Sequence, residues 1–323
     1  MGARLNTEQQ PDAEISGWKF LMEPLPKDLS LRDITIIRYE GALKIPNAAA
    51  LGGLVKSFCQ HVYCEIPVVD LSHVLEVVRH RSTDEPRPRL SILLLNAILL
   101  AGALHAPLEI VQQAGYESRD DAISGLYGKV RVLYLLDCET DTTTVLQALL
   151  ILAYACSNEN LAHKQVFWIK IAVSLCHRIV WLQHLPEHQD STHRLWKRLW
   201  WSCYVLDKLI AVKQGSKPCI ARLELSIPRL SIKDFELEEA YPLFNCWPWE
   251  QLAQSFIDKT LLTEAPQANQ DAQASLMQSN MMEYQDLEYY ERGLIDSMFS
   301  PLESNTGASS TTESLSNRVI CVT

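Results

Sequence analysis

Apolar positions recur at helical spacing over most of the middle of the chain. Ile123, Leu126, Tyr127, Val130, Leu133 and Tyr134 follow the i, i+3, i+4, i+7 template of a helix with one buried face. Ser118 and Asp121, just ahead of them, have the spacing of a capping box. Asp141 or Thr142 can cap a helix over Val145–Ala155. Across Leu161–Leu182 the pattern sets Phe167, Ile171, Leu175, Ile179 and Leu182 on one side, with His163, Lys170 and Arg178 elsewhere. His193–Lys213 repeats the idea with Leu195, Leu199, Leu206, Leu209 and Ile210. Leu71–Arg79 predicts a short helix, Trp249–Leu262 a further one, and Ala48–Tyr63 is mostly apolar or aromatic. Leu90–Leu108 carries no charge, but Ser91, Asn96, His105 and Pro107 leave it short of the ~20 apolar residues a bilayer needs. It and Thr142–Asn158 predict buried helices. No run of strand alternation appears in the middle of the chain. Ile220–Leu230 is locally β-rich, but Pro218 and Pro228 punctuate it and predict an extended connector. The expectation is an all-α, multi-helix bundle with flexible termini.

The polarity pattern divides the chain into three. Residues 1–40 are polar and mixed in charge, with Pro11, Pro24 and Pro26, and predict an extended lead-in. Residues 41–262 hold the helical body, in which the charged, proline-bearing run Arg79–Arg89 predicts a loop. Residues 263–323 form an acidic tail rich in Met, Tyr and Ser. Its 264–303 stretch interleaves Leu276, Met277, Met281, Met282, Tyr284 and Phe299 with eight acids and a single base, Arg292. That is the composition of an acidic-hydrophobic activation segment, in which acids keep apolar side chains solvated and available to a partner groove. A final amphipathic helix docked on the bundle would have the same composition.

Composition sharpens this picture mainly by exclusion. The chain has 323 residues, 29 Lys+Arg against 39 Asp+Glu, a net charge of −10 and 12 Gly. So acidic a chain is poorly suited to gripping a phosphate backbone over a broad surface. Glycine-rich nucleotide loops, the G-x-S-x-G elbow, H-E-x-x-H and kinase motifs are all absent. The start of the sequence has no signal-peptide core. Nine cysteines at irregular spacing suit reduced thiols better than a disulfide framework, with Cys176 and Cys203 expected as buried thiols. Cys59-x4-Cys64 with His61 between them, and His184, His188 and His193, are the closest approaches to metal-ligand spacing. Neither has the repeated C-x2-C of a zinc ribbon or a binuclear cluster. Asp120-Asp121 lacks the third carboxylate of a magnesium-holding helix face and suits a helix N-terminus. No nucleophile, base and orienting group can be named together, and an enzyme is not expected.

The most informative stretch, Leu195–Phe235, reads LWKRLWWSCYVLDKLIAVKQGSKPCIARLELSIPRLSIKDF. Its basic pair Lys197-Arg198, then Trp200-Trp201, Tyr204, Asp207-Lys208, Lys217-Pro218 and the close Ile227-Pro228…Asp234-Phe235 resemble the regulatory middle homology domain of fungal zinc-cluster transcription factors. The close is most similar to the cutinase transcription factor branch. Upstream, Gly41-Ala42-Leu43 with Ile45-Pro46, Val62-Tyr63 with Ile66-Pro67-Val68-Val69-Asp70, Ala114-Gly115-Tyr116 and Val145–Leu150 resemble that branch in order. The resemblance covers about residues 40–240. Trp181-Leu182-Gln183-His184 departs from the family's Gly-Leu-His-Arg-like helix end.

The resemblance implies an all-α regulatory domain, a nuclear location and control of transcription of a pathway or biosynthetic gene cluster. The implied partners are the transcription machinery or a coactivator, through 264–303, and a homodimer or heterodimer with a DNA-binding relative. The alternative is a freestanding module that dimerises with or sequesters such a relative. No cofactor is expected in this chain. Zinc is expected only with an N-terminal cluster, and no cysteine precedes Cys59, so DNA is expected to be reached indirectly or through such a domain. No membrane association is expected. The signature residues Lys197, Arg198, Trp200, Trp201, Tyr204, Asp207, Lys217 and Pro218 are expected to be mainly structural. Leu195, Leu199, Cys203, Leu206 and Ile210 should form the core stripe, with Leu209 at its edge. Trp200 and Tyr204 at i, i+4 should stack, and Arg194, Lys197 and Arg198 should keep their charged ends in water. Lys213, Lys217 and Arg222 form either the rim of an effector or partner site or an ordinary basic loop.

Overall fold

The computed structural model describes residues 22–79, 89–157, 161–182, 191–220, 227–236 and 249–264. Among them are ten α-helices: α1 (Leu31–Tyr39), α2 (Ala48–His61), α3 (Leu71–Arg79), α4 (Ile92–Ala103), α5 (Leu108–Gln113), α6 (Arg119–Leu135), α7 (Thr142–Ala155), α8 (Ala162–Leu182), α9 (Ser191–Lys213) and α10 (Trp249–Glu264). A short 3₁₀ turn covers Ile232–Phe235. Among the described residues a single bridge of extended backbone joins Met22 and Leu90. The fold is therefore an all-α bundle, and no described helix is long and apolar enough to cross a membrane.

The core is built around α4, every residue of which is buried. A helix apolar all round can be stable only when neighbours cover every face, and α2, α6 and α7 pack on it. Contact with α2 is closest at Gly102, where a Cβ would lie 2.1 Å from the Leu54 carbonyl oxygen. Polar groups inside this layer are used as ties. Asn96 donates its amide to the Ala42 and Ile92 carbonyls. Gln147 of α7 donates to Val68 at 2.8 Å. Trp168 of α8 donates to the Tyr127 hydroxyl of α6 at 3.2 Å. Arg119 donates to the Leu104 and Ala106 carbonyls, pinning the start of α6 to the turn after α4. The chain then runs outward from this layer, α7 packing on α8 and α8 on α9.

Local sequence accounts for the helix starts. Asp141 accepts from the Thr144 amide, so α7 begins at Thr142. Ser118 accepts from the Asp121 amide, but the Asp121 carboxylate reaches the amide of Glu117 rather than that of Ser118. The box is thus made one residue early. Two expectations are corrected. The lead-in over residues 1–40 is not extended throughout, because Ser30 and Asp33 form a complete capping box and start α1, which buries Ile37. The buried face of α8 is also turned away from the stripe read from the sequence. Trp168, Ile169, Ala172, Val173 and Cys176 are buried with Ile179, whereas Phe167 is 57% exposed and Ile171 and Leu175 are only half-buried. Small Ala172 and Cys176 let neighbouring helices approach, and the Trp168 indole packs against Tyr127 and Tyr134. The loop expected over Arg79–Arg89, the histidines at 184 and 188, Arg222 and the 264–303 segment lie wholly or almost wholly outside the described residues.

Candidate functional site

The residues that carry the motif lie on α9 and on the segment 227–236 that returns across it. The expectation of a one-sided stripe does not hold. From Trp196 to Asp207 every residue of α9 is buried. One flank faces α7 and α8, and the other is covered by the 3₁₀ turn and α10. This wrapping explains the principal correction. Lys197 and Arg198 do not hold their charged ends in water: the two residues are 8% and 1% exposed.

Each buried charge has a partner supplied by the returning segment or by the end of α2. The Lys197 ammonium lies 2.6 Å from Asp234 Oδ2. The same oxygen accepts from the Ser231 amide at 2.7 Å and the Ser231 hydroxyl at 2.9 Å. Three donors thus converge on one carboxylate oxygen, the satisfaction that a buried ion pair requires. Arg198 donates to the Tyr63 hydroxyl at 3.1 Å and faces Glu236 at 3.8 Å. Burial pushes the Tyr63 phenol upward, with the Arg198 charge opposing. Glu236 stands at φ 52°, in the left-handed region, and this turn brings its carboxylate toward Arg194 as well, at 3.5 Å. A parallel tie joins Lys259 of α10 to Glu65, at 2.6 Å.

The aromatic and acidic members of the motif do similar work. Trp201 donates its indole N–H to the Pro228 carbonyl at 3.1 Å. Tyr204 packs edge-on against Trp201, with ring centres 5.8 Å apart, and its hydroxyl donates to the Thr263 carbonyl at 3.4 Å. The ring beside Trp200 is His177, at 5.6 Å, so the pairing expected between Trp200 and Tyr204 is replaced by one at i, i+3. Asp207 is 2% exposed and accepts the amides of Cys219 and Ile220 at 3.0 and 2.8 Å. It thereby closes the turn that contains Lys217-Pro218. The Lys208 ammonium lies 5.3 Å from the centre of the Tyr204 ring.

Of the basic rim, Lys213 and Lys217 are among the described residues and Arg222 is not. Lys217 is exposed, and Lys213 donates to the Ser157 carbonyl at 3.1 Å, joining the end of α9 to the end of α7. Cys64 donates toward the Gln60 and His61 carbonyls, and burial pushes it up to about 12. The His61 ring instead stacks on His105 at 5.0 Å. No group of three or more His, Cys, Asp or Glu among the described residues could hold a metal ion. Cys176 and Cys203 are both buried thiols, in sulfur contact across α8 and α9.

Sequence reasoning quoted Asp234 as part of the motif but did not pair it with Lys197, and it missed Tyr63, Glu65, Glu236 and Lys259 as partners. The Ser231-x-x-Asp234 spacing was a usable sign, because it forms a capping box here.

A profile of the fungal specific transcription factor domain matches residues 55–282. The chain is similar to cutinase transcription factor 1 beta of Fusarium vanettenii, 28% identical over 237 residues, covering 72% of this chain and 26% of that protein. It is similar to transcription factor cpaR of Aspergillus oryzae, 31% identical over 216 residues, covering 66% of this chain and 35% of that one. An acetamidase regulatory protein of Aspergillus fumigatus is 27% identical over 202 residues, 60% of this chain and 24% of its own length. The chain thus spans about a quarter to a third of the length of these curated relatives. No solved structure matches it.

Proposed function

The chain belongs to the fungal specific transcription factor domain family, and we propose that it serves as the regulatory domain of a transcription regulator working in the nucleus. Membership of the family supports the reading. The observation that carries it is the tie system on α9, in which Lys197 and Trp201 bind the segment 227–236 while Arg198, Tyr204 and Asp207 each bind a further one. Such a helix acts as a central strut that holds the bundle in one arrangement, a platform for contacts rather than a catalytic cleft. We read the chain as non-catalytic. DNA is reached through a zinc-cluster domain or through a DNA-binding relative, and the acidic 264–303 segment recruits a coactivator by offering Met, Tyr and Leu side chains to a groove. Relatives named for cutinase transcription and acetamidase regulation support control of a set of pathway genes.

The test is a reporter assay with the whole chain fused to a foreign DNA-binding domain, beside the same fusion lacking residues 264–303. Activation by the first and its loss in the second is the expected result. A reporter left at baseline by the whole-chain fusion overturns the activator reading. Equal activation by the two overturns recruitment through 264–303.

A further inference from the structure

The outward side of α8 carries a second apolar stripe that the described bundle leaves open. Phe167 is 57% exposed, and Ile171 and Leu175, one and two turns further on, are only half-buried. The stripe continues onto α6. The Phe167 and Trp168 rings meet edge-on 4.9 Å apart, and Trp168 meets the half-buried Tyr134 of α6 in the same way at 5.5 Å. Leu135, next to Tyr134, is 62% exposed. Single apolar residues on a surface need no explanation, but a continuous patch marks a contact site.

The charges around this patch are mostly of one sign. In a chain of net charge −10, α8 carries Lys164, Lys170 and Arg178 and neither Asp nor Glu. Lys170 and Arg178 are exposed, and the Lys164 ammonium stands 4.4 Å from the centre of the Tyr127 ring. Arg131, also exposed, lies one turn from both Tyr127 and Tyr134 on α6. None of these four bases is in a salt bridge among the described residues. The opposing acid is Asp137, which faces Tyr134 from beyond the end of α6.

We propose that residues 276–299 of this same chain dock on this face, their Met, Tyr and Leu side chains against Phe167, Ile171 and Leu175 and their carboxylates among the four bases. Charge selects this occupant. The segment holds Glu283, Asp286, Glu288, Glu291 and Asp296 against the single base Arg292, whereas a second copy of α8 would set bases against bases. The connection is also long enough. The Tyr204 hydroxyl holds the Thr263 carbonyl at the end of α10, and α9 in turn packs on α8. Two helix spacings put α8 roughly 20 Å from α10, and the stretch 265–275 extends to about 36 Å. A tether this short presents the segment at an effective concentration on the order of 1 mM, so a modest contact suffices. The inference concerns where the segment rests, and it does not depend on the segment recruiting a coactivator.

The experiment follows backbone hydrogen exchange of the intact chain by mass spectrometry. Peptides from 276–299 should exchange about tenfold more slowly than a free segment of that sequence, equally at low and high protein concentration. The protection should fade as salt is raised to about 1 M, where charges are screened beyond about 3 Å. Phe167→Ser should lower it about tenfold, the value of one aromatic contact of this exposure. Lys170→Glu with Arg178→Glu should lower it by a similar factor. All three positions are exposed, and unchanged exchange in α4 shows the bundle intact. Unprotected 276–299, protection that neither variant lowers, or protection that appears only as concentration rises overturns the proposal. Failure here and failure in the reporter assay are distinguishable: activation by an unprotected segment overturns docking alone, and protection without activation leaves docking standing.

Discussion

Replacing Lys197 by Met distinguishes a buried tie from a solvated charge. Met keeps the length of the stem and removes the ammonium that lies 2.6 Å from Asp234 Oδ2. Were the pair exposed, the loss would be about 0–1 kcal/mol. Here the two side chains are only 10% and 9% exposed, and Asp234 would be left charged with Ser231 as its remaining donor. Breaking a buried pair from one side costs about 3–5 kcal/mol. The two Ser231 bonds that survive place this case at the lower end, about 3 kcal/mol. For a domain of this size that corresponds to a melting point lower by about 6–12 °C. The assay is urea unfolding followed by tryptophan fluorescence, with the slope on urea unchanged so that the midpoint shift reports stability. Asp234→Asn keeps an acceptor for Ser231 but removes the charge. In the double variant most of the loss should therefore be recovered, with a coupling of about 2 kcal/mol. A single-variant loss below about 1 kcal/mol, or simple additivity of the two changes, refutes the account of α9 as a helix wrapped on all sides.

Other outcomes follow from the same structure. Gly102→Ala places a methyl group where the Leu54 carbonyl oxygen lies 2.1 Å away, so α2 and α4 must separate. The expected loss is about 3 kcal/mol by urea unfolding, and a neutral result would show that the helices do not meet there. Ser118→Ala removes the acceptor for the Asp121 amide and should cost about 1 kcal/mol in the same assay. Cys64, pushed by burial from 9.0 up to about 12, holds its proton in the folded chain after the unfolded chain has released it. Its contribution is therefore present below pH 9 and lost as pH rises from 9 towards 12. Thermal melts across that window should fall more steeply for the natural chain than for Cys64→Ala, and parallel slopes would contradict this.

The architecture was legible where a single residue period decided it. Leu71–Arg79 matches α3 residue for residue, and the uncharged, mostly apolar run from Leu90 became α4 with every face covered. What was not legible depended on which face a neighbour would cover. On α8 the sequence offered two overlapping stripes. The larger aliphatics Ile171 and Leu175 look more core-like than Ala172 and Cys176, yet close helix packing selects the small residues and turns Phe167 outward. On α9 the periodicity located the core at Leu199, Cys203 and Ile210. It could not reveal that a segment more than thirty residues later would bury the opposite flank. The burial of Lys197 and Arg198 lives in that long-range return, and local pattern has no access to it. The lead-in failed for the opposite reason: α1 rests on one capping box, Ser30 with Asp33, which was overlooked among the surrounding charges.

The placement of these ties bears on why the motif has the composition it has. A basic pair, two tryptophans, a tyrosine and an aspartate on one helix look like a binding surface when read in sequence. In the fold their polar atoms point to four other segments: Lys197 to Asp234 and Trp201 to Pro228 in 227–236, Arg198 to Tyr63, Tyr204 to Thr263, and Asp207 to Cys219 and Ile220. Long side chains with a polar tip suit this task, because they fill the apolar interior along their length and still satisfy a backbone or carboxylate group at the end. Leu at Trp201 would fill part of the space and leave the Pro228 carbonyl without its donor; Lys at Arg198 could not serve Tyr63 and Glu236 from two separate nitrogens. The motif thus specifies how the returning segment and α10 are seated on α9. Loosening any one tie would alter the surface those segments present, and the regulatory reading requires that surface to be held in place.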